Sequence, residues 1–257
     1  MSFDIDTKSY PKMIFGKNNN LSTVEAATYA AELVICDIAG TTVEDDGLVL
    51  EAFRNTAIDM ELRAGTVPYD DAVNYAQNTM GHSKIEVFRH IFSTDVRARQ
   101  ANLAFERHYA KFVSEFGVNE IPGASELFAT LRARSIKIAL TTGFSKTTQE
   151  LILNSLGWKE KVDYFGSPGA TERGRPYPDM ILAAMNNLGI ENPQNVIVLG
   201  DTSSDIQAAK KANVCLAVGV LSGAHGSTEL LNADADLILD SVSDLVTLFY
   251  AFGKTAH

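Results

Sequence analysis

The fold is decided at residues 33–42, which read LVICDIAGTT. Four apolar residues predict a short buried strand, and the acid Asp37 ends it. The small residues at 39–42 are typical of a tight turn after a strand. A single aspartate in this place often only caps the following helix, so its meaning depends on what the rest of the chain places near it.

Two different patterns of apolar residues follow this strand. From about residue 48 to residue 116, apolar residues recur at spacings of three and four and predict a helical bundle. After Pro122 and Gly123, predicted strands alternate with predicted helices to the end of the sequence. Such alternation predicts a parallel sheet with right-handed crossovers and helices on both faces. The strands are predicted at 135–140, 162–165, 195–199, 214–218 and 236–239, and the helices at 124–134, 146–156, 180–188, 204–212 and 242–249.

The helical stretch interrupts the alternation after its first strand, which makes it an insertion. We therefore predict an α/β fold with a Rossmann-like, doubly wound parallel sheet and a helical cap inserted after the first strand. The predicted boundaries are 1–31 for an N-terminal extension that ends in a short helix from Ser22, 32–47 and 118–257 for the core, and 48–117 for the cap. The cap is expected to close through the stretches near Gly47 and Gly117.

Composition narrows the classes of partner. Of the 257 residues, 32 are acidic and 22 are Lys or Arg, so the formal net charge is −10. Because such a surface repels phosphate backbones, we expect no nucleic-acid partner. No apolar run approaches the roughly 18 residues of a membrane span, and the N-terminal residues lack the pattern of a secretion signal. We expect a cytoplasmic protein without a membrane partner, in which Cys36 and Cys215 are buried free thiols.

Four short polar clusters lie at or beyond the carboxyl ends of the predicted strands, beginning with the strand that ends at Asp37. In an open parallel sheet, ligands bind beyond the carboxyl ends of the strands, so these clusters are expected to meet. Carboxylates suit Mg²⁺, threonine hydroxyls and loop amides can donate to phosphoryl oxygens, and an arginine supplies local positive charge. An aspartate beside Mg²⁺ can attack phosphorus and form an aspartyl phosphate that water hydrolyses. The clusters are Asp37, Thr141 to Gly143, Gly174 to Pro176, and Gly200 to Thr202 with Asp205.

In this order, DIAGTT (37–42), ALTTG (139–143), GRPYP (174–178) and GDTSSD (200–205) resemble the four motifs of the haloacid dehalogenase superfamily. The helical insertion resembles that superfamily's cap, and the resemblance covers about residues 33–250. It implies that Asp37 is the nucleophile and that Arg175 is the cation of the third motif. It also implies a phosphate site that includes Thr41, Thr142 and Gly143, and a Mg²⁺ site that includes Asp37, the main-chain carbonyl of Ala39, Asp201 and, directly or through another ligand, Asp205.

One position indicates which group within the superfamily the sequence resembles. Most phosphatases of this superfamily carry a second acid two residues after the nucleophile, where it protonates the leaving oxygen, and here that position is Ala39. The motifs DIAGTT and GRPYP resemble those of phosphonoacetaldehyde hydrolases (phosphonatases), which cleave a P–C bond through an imine on a cap lysine. An iminium group withdraws electrons from the departing carbon, so no acid is needed at the oxygen-protonating position.

The segment Met80 to Lys84 resembles the part of the phosphonatase cap that carries this lysine. The resemblance implies that Lys84 forms the Schiff base and that Met80 lines the pocket. Burial under the cap is then expected to lower the pKa of Lys84. The alternative is a solvated lysine in the first turn of a helix. The apolar neighbours Val87, Phe88 and Ile91 could serve the core of the cap, the substrate pocket or a dimer.

Several positions depart from the phosphonatase pattern. The histidine expected three residues after the lysine is Val87, and the tyrosine after the second motif is Phe144. His82 or His90 could replace the missing histidine, or both could be solvated surface residues. His225 lies in a glycine-rich stretch, VGVLSGAHGSTEL, that resembles phosphonatase-like hydrolases, and it either approaches the cleft or has no role.

Three hypotheses about function follow. The first is a Mg²⁺-dependent hydrolase that converts phosphonoacetaldehyde, or a close analogue, to phosphate and aldehyde. The second is a phosphatase of the same fold that acts on a small phosphate monoester. The third is a non-catalytic protein that binds a phosphorylated ligand, which the complete set of nucleophile, metal and phosphate positions disfavours. A small phosphonate or phosphate is thus the expected substrate, and the resemblance implies a homodimer formed through the cap.

Overall fold

A seven-stranded sheet lies at the centre of the structure, a computed structural model that describes residues 10–169 and 173–253. The strands are Ile14–Phe15 (β1), Leu33–Asp37 (β2), Lys137–Thr141 (β3), Tyr164–Gly166 (β4), Val196–Gly200 (β5), Leu216–Val220 (β6) and Leu237–Leu239 (β7). Their order is β1-β7-β6-β5-β2-β3-β4, and all neighbours pair in parallel except β1 with β7. This confirms the predicted α/β fold class.

Helices connect the strands and cover both faces of the sheet. They are Leu21–Ala30 (α1), Leu48–Asp59 (α2), Val67–Asn78 (α3), Lys84–Ile91 (α4), Asp95–Phe116 (α5), Ala124–Ala133 (α6), Lys146–Ser155 (α7), Asp179–Leu188 (α8), Ser203–Lys211 (α9), Ser227–Asn232 (α10) and Val242–Phe252 (α11). Alternate residues of β2 enter two separate apolar clusters: Val34 and Cys36 pack with α1, α6 and α11, whereas Leu33 and Ile35 pack with α8 and α9. Every residue of β2 is buried, which explains why its first four residues, 33–36, form a continuous apolar run.

The segment before β2 belongs to the core. Ile14 and Phe15 form β1 and pair with Ile238 and Leu237 of β7. Helix α1 begins at Leu21, one residue before the predicted start, because the side chain of Asn20 accepts a hydrogen bond from the Thr23 amide (3.2 Å). Residues 10–31 therefore complete one edge and one face of the sheet, where we expected an extension that precedes the core. A two-residue strand carries no period that a sequence pattern can reveal.

Helices α2 to α5 form the insertion, whose centre is aromatic. The ring centroid of Phe53 lies 4.9 Å from that of Phe88 and 4.8 Å from that of Phe105. Val87 and Phe88 are buried in this cluster, and Ile91 packs against it half-buried. Of the uses left open for these three residues, the structure shows packing within the cap.

The two cysteines are free, as predicted. Cys36 is buried in β2, where burial raises the pKa of its thiol, and Cys215 is half-buried just before β6. In the part of the chain that the structure describes, no helix combines the length and the apolar character that a membrane crossing needs.

Each end of the cap is marked by a glycine with a positive φ angle. Gly47 precedes α2 with φ 76° and ψ 7°, and Gly117 follows α5 with φ 79° and ψ −172°. An added Cβ would meet no atom within 4 Å at either position, so any effect of a larger residue comes from the backbone alone. The left-handed conformation of Gly47 is strained for most residues, whereas the conformation of Gly117 is essentially restricted to glycine.

We expect Gly117→Ala to lower the free energy of unfolding by about 2 kcal/mol and Gly47→Ala to lower it by about 1 kcal/mol. Urea unfolding followed by the fluorescence of Trp158, the single tryptophan, measures both values. Gly47→Asn is the control, because asparagine tolerates the left-handed region and should lose less than alanine. Equal stability of Gly117→Ala and the unchanged protein would contradict the prediction.

Candidate active site

The site begins at the turn that follows β2. The carbonyl of Ile38 accepts hydrogen bonds from the amides of Thr42 (3.0 Å) and Val43 (2.8 Å), which closes the turn directly after Asp37. Gly40 lies at the apex with φ 83°, and a Cβ there would lie 2.6 Å from the Oδ2 atom of Asp201. A glycine is therefore required for the turn to approach the acid that follows β5.

Asp201 is held by donors from two loops. Its Oδ1 accepts from the hydroxyl of Thr41 (3.2 Å), and its Oδ2 accepts from the amide of Ala224 (2.7 Å). Thr41 is fully buried and does not line the cavity described below, and its hydroxyl is bound to Asp201. The part in the phosphate site that the resemblance implies for Thr41 stays a prediction.

Arg175 lies between two carboxylates. Its Nη2 atom is 2.5 Å from Oδ1 of Asp37, and its Nη1 atom pairs with Oδ1 of Asp205. The other oxygen of Asp205 accepts from the amide (3.1 Å) and hydroxyl (2.5 Å) of Thr202, in a capping box that starts α9. Helix capping thus fixes Asp205, and Asp205 fixes the guanidinium beside Asp37.

The residues Asp37, Asp201 and Asp205 form a buried acidic cluster, in which one carboxylate oxygen of each lies within 4.8 Å of the others. Arg175 supplies a single positive charge against three potential negative charges. Burial raises the pKa of Asp37 to about 7 although Arg175 opposes it, and burial together with the two other acids raises the pKa of Asp201 well above its usual range. A divalent cation would supply the missing charge, and an all-oxygen donor set fits Mg²⁺.

Thr142 and Gly143 follow β3 and face the same cavity. The hydroxyl of Thr142 accepts a hydrogen bond from the amide of Phe144 (3.2 Å), which leaves its own proton free for a ligand. The cavity is lined by Asp37, Ala39, Val49, Met80, Gly81, Lys84, Thr142, Gly143, Phe144, Arg175, Asp201 and Thr202.

Lys84 is the first residue of α4 and reaches this cavity from the cap. Its side chain is 5% exposed, which the solvated alternative does not fit. The amine lies 5.5 Å from the ring centroid of Phe144 and 5.7 Å from that of Phe53, and within the described residues it makes no hydrogen bond or ion pair. Burial lowers the pKa of Lys84 to about 8, and the charge of Asp45 opposes this shift.

The cap is closed over the core in this structure. The amide of Lys84 donates to the carbonyl of Gly143 (3.2 Å). A Cβ on Gly143 would lie 2.5 Å from the carbonyl oxygen of His82, and a Cβ on Gly174 would lie 2.5 Å from the Cβ of Ser83. Two core glycines therefore make room for the turn that carries Lys84.

The histidines take different positions. His82 is half-buried in the turn before Lys84, and burial and the charge of Lys84 lower its pKa. His90 is exposed on the cap and stacks on Tyr75 with ring centroids 3.8 Å apart. His225 accepts a hydrogen bond from the amide of Ser203 (2.9 Å) through Nδ1, so it holds the start of α9.

Sequence reasoning missed Asp45, the acidic neighbour that acts on the pKa of Lys84. Its Oδ1 accepts from the amide of Val49 (3.1 Å) near the start of α2. The acid-rich run 44–46 before a helix predicts such a cap, but nothing in it predicts a lysine from another helix nearby.

Comparison with known proteins agrees with this geometry. The family described as haloacid dehalogenase-like hydrolase matches residues 31–213. A phosphonoacetaldehyde hydrolase of Bacteroides fragilis is 29% identical over 211 residues, covering 76% of this chain and 77% of that protein. The probable phosphatase IndB of Dickeya dadantii is 26% identical over 226 residues, covering 86% of this chain and 95% of that protein.

Among solved structures, a phosphonoacetaldehyde hydrolase-like protein of Oleispira antarctica has the same fold, with a TM-score of 0.71 and 23% identity over 89% of this chain and 96% of that one. The family match spans most of the chain and contains the acidic cluster, Thr142, Lys84 and Arg175. Both the motifs and the architecture therefore lead to one conclusion: this chain belongs to the haloacid dehalogenase-like hydrolases.

Proposed function

We propose that this hydrolase cleaves the P–C bond of phosphonoacetaldehyde, or of a close analogue, to phosphate and an aldehyde. The observation that carries the proposal is that a buried amine, Lys84, and a buried carboxylate, Asp37, line one small cavity. Ala39, in the turn two residues after Asp37, leaves no acid where an ester hydrolase would need one for its leaving oxygen.

Lys84 acts on the carbon side of the bond. Its neutral amine adds to the aldehyde carbon, and loss of water gives an iminium ion. When the P–C bond breaks, its electron pair moves into the iminium group and leaves an enamine that is still attached to Lys84. The enamine is then protonated on carbon, and water hydrolyses the resulting imine to release the aldehyde and the free lysine. The rings of Phe53 and Phe144 flank the amine, and their faces favour the positive charge of the iminium.

Asp37 acts on the phosphorus side. A carboxylate oxygen of Asp37 attacks phosphorus as the P–C bond breaks, and water later hydrolyses the aspartyl phosphate to regenerate the carboxylate. In this proposal the Arg175 guanidinium and the free hydroxyl proton of Thr142 stabilise the phosphoryl oxygens, which is supported by their positions at the cavity that Asp37 lines. The Nε atom of Arg175 is buried without a hydrogen-bond partner within the described residues, and a bound phosphoryl oxygen would provide one.

Mg²⁺, bound by Asp37, Asp201, Asp205 and the carbonyl of Ala39, would add positive charge next to the phosphoryl group. The three acids fit this task because they are buried and converge, and because only one guanidinium balances them.

A phosphatase that acts on a small phosphate monoester is the second candidate. It is favoured by the Dickeya dadantii relative, a probable phosphatase whose match covers 95% of its length. Lys84 separates the two candidates, because an imine mechanism requires its amine and ester hydrolysis does not.

We expect borohydride added during turnover of phosphonoacetaldehyde to reduce an adduct on Lys84, seen as a mass increase on the peptide that contains it. Lys84→Met should reduce phosphate release from this substrate to the uncatalysed rate, because the electron acceptor for the carbon is lost. Lys146→Met, which removes an exposed lysine of α7, is the control and should change nothing. Full activity of Lys84→Met on phosphonoacetaldehyde would refute the imine mechanism, and its full activity on a phosphate monoester alone would favour the phosphatase.

The rate of imine trapping should rise with pH through a pKa of about 8, because only the neutral amine of Lys84 reacts. With this pKa about one-tenth of the amine is neutral at pH 7, compared with about one in three thousand at the ordinary pKa of 10.5. The rate of borohydride-trapped adduct formation between pH 6 and pH 10 measures the profile. The charged and titratable groups that interact with this amine include Asp45, Arg175, Asp37, Asp201, Glu106 and His82.

Asp45→Asn sharpens this test. The carboxylate of Asp45 raises the pKa of Lys84, so its removal should shift the rising limb to lower pH, while the amide still accepts from Val49. Asp46→Asn removes an exposed acid next to it and serves as the control, with an unchanged limb. A profile that rises only near pH 10.5 in the unchanged protein would contradict a buried amine.

Mg²⁺ should raise the thermal unfolding midpoint at pH 8, with a stabilisation of about 2.7 kcal/mol at a Mg²⁺ concentration 100 times the Kd. At pH 5.5 the gain should shrink, because the pKa of Asp37 near 7 lets protons compete for the site. Asp201→Asn should abolish the response, whereas Asp240→Asn, at an exposed acid, should retain it. An equal Mg²⁺ response in both variants would locate the cation elsewhere.

A further inference from the structure

The loop 142–145, between β3 and α7, is bound by the cap at two residues, Gly143 and Ser145. On one side the amide of Lys84 donates to the carbonyl of Gly143 (3.2 Å). On the other side Glu106, in the middle of α5, reaches Ser145, the residue that precedes α7. The loop carries Thr142 and Phe144, which line the cavity, so the cap touches the phosphate-binding loop beyond the turn around Lys84.

Glu106 makes three hydrogen bonds with this part of the core. Its Oε1 accepts from the amide of Ser145 (3.2 Å), and its Oε2 accepts from the hydroxyls of Ser145 (2.8 Å) and Thr148. Thr148 is buried, and Glu106 is the only acceptor that its hydroxyl meets among the described residues. A carboxylate that accepts three hydrogen bonds forms stronger contacts than a neutral acceptor would.

The start of α7 is a favourable place for this carboxylate. The first amides of a helix lack partners within the helix and carry partial positive charge. Ser145 already caps α7, because its hydroxyl oxygen accepts from the amide of Thr148 (3.3 Å). Glu106 adds a negative charge to the same helix end from the cap, so this contact joins α5 of the cap to α7 of the core in the closed structure.

The two contacts fix the residues between them. Phe144 lies between the anchored Gly143 and Ser145, with its ring 4.6 Å from that of Tyr109 and its face toward the amine of Lys84. The amide of Phe144 donates to the hydroxyl oxygen of Thr142, so the position of Phe144 sets the orientation of the Thr142 hydroxyl. Movement at Ser145 therefore reaches both the phosphate ligand and the apolar wall beside the lysine.

From this arrangement we infer that Glu106 is a positioning residue, whose carboxylate couples closure of the cap to the placement of Thr142 and Phe144 in the cavity. The inference rests on the proposed function only for its activity measurement, since the contacts exist whichever phosphorus compound is the substrate. It assigns to α5 a part in the reaction that neither the motifs nor the acidic cluster contains.

Glu106→Gln tests the inference with little change in size. Its NH₂ group must face donors where an oxygen stood, so the contacts to Ser145 and Thr148 cannot all form. We expect kcat/KM for phosphonoacetaldehyde to fall by about tenfold or more, with the larger part in KM, because a smaller closed fraction weakens apparent binding. Hydrogen exchange at the amides of 143–148 should become about tenfold faster in the substrate-free protein.

Glu115→Gln is the matched control, because Glu115 lies on the same helix, is exposed and pairs only with Lys111 (3.7 Å) among the described residues. It should leave both measurements unchanged. Thr148→Val removes one donor to Glu106 at nearly constant volume, and its effect on kcat/KM should not add to that of Glu106→Gln. Independent structural damage at the two sites would give additive losses.

Unchanged exchange at 143–148 in Glu106→Gln would overturn the inference, whether or not activity falls. Faster exchange with unchanged kinetic constants would also overturn it, since loop placement would then have no bearing on the reaction. If the unchanged protein hydrolyses p-nitrophenyl phosphate but leaves phosphonoacetaldehyde intact, the proposed function fails. The coupling is then tested by the same exchange data and by the kinetic constants for p-nitrophenyl phosphate.

Discussion

The buried ion pairs of Arg175 with Asp37 and Asp205 hold the site together. They join the end of β2, the loop before α8 and the first turn of α9 at one edge of the sheet. Removing three carboxylates and a guanidinium from water is costly, and two ion pairs do not balance three acids. Burial is the main cause of the raised pKa of Asp37, the charge of Arg175 opposes it, and the charge of Asp205 adds to it. The chemistry of the site therefore follows from a charge arrangement that the fold enforces.

In the cap, by contrast, a single basic side chain, Lys84, is buried among apolar side chains. Lys84 lies between the rings of Phe53 and Phe144, and the same burial that closes the cavity lowers the pKa of its amine to about 8. In the closed position the turn before α4 lies so near the core that a Cβ atom on Gly143 or Gly174 would collide with it, so these two positions require glycine. Burial under the cap thus raises the neutral fraction of this amine, which is the form that the proposed imine chemistry requires.

Hydrogen bonds also join the cap to the core in the closed position. The carboxylate of Glu106 reaches the start of α7 while the backbone of Lys84 binds Gly143, so the cap holds the loop 142–145 and brings the amine into the cavity at the same time. The cap decides which group faces Asp37 across the cavity, because Lys84 reaches the cavity from α4. In this chain that group is an amine, and Ala39 leaves no acid to compete with it.

The amino-acid sequence by itself determined the parallel sheet, the place of the insertion, and the motif residues of the core. Apolar runs such as 33–36 and the periods of the helices are local properties, and polar residues at the ends of parallel strands must share an edge. Most predicted strand ends differ from the observed ones by one or two residues. At two of them the reason is visible, because Thr141 and Gly200 complete the ladders although they look like turn residues. The burial of Lys84 was expected from the resemblance of residues 80–84, and the structure confirms it. Only the tertiary structure showed β1, the contact of Thr41 with Asp201, and the places of the acids Asp45 and Glu106. Each of these depends on a partner far away in the chain or in the other domain, and distance through space leaves no period in a sequence.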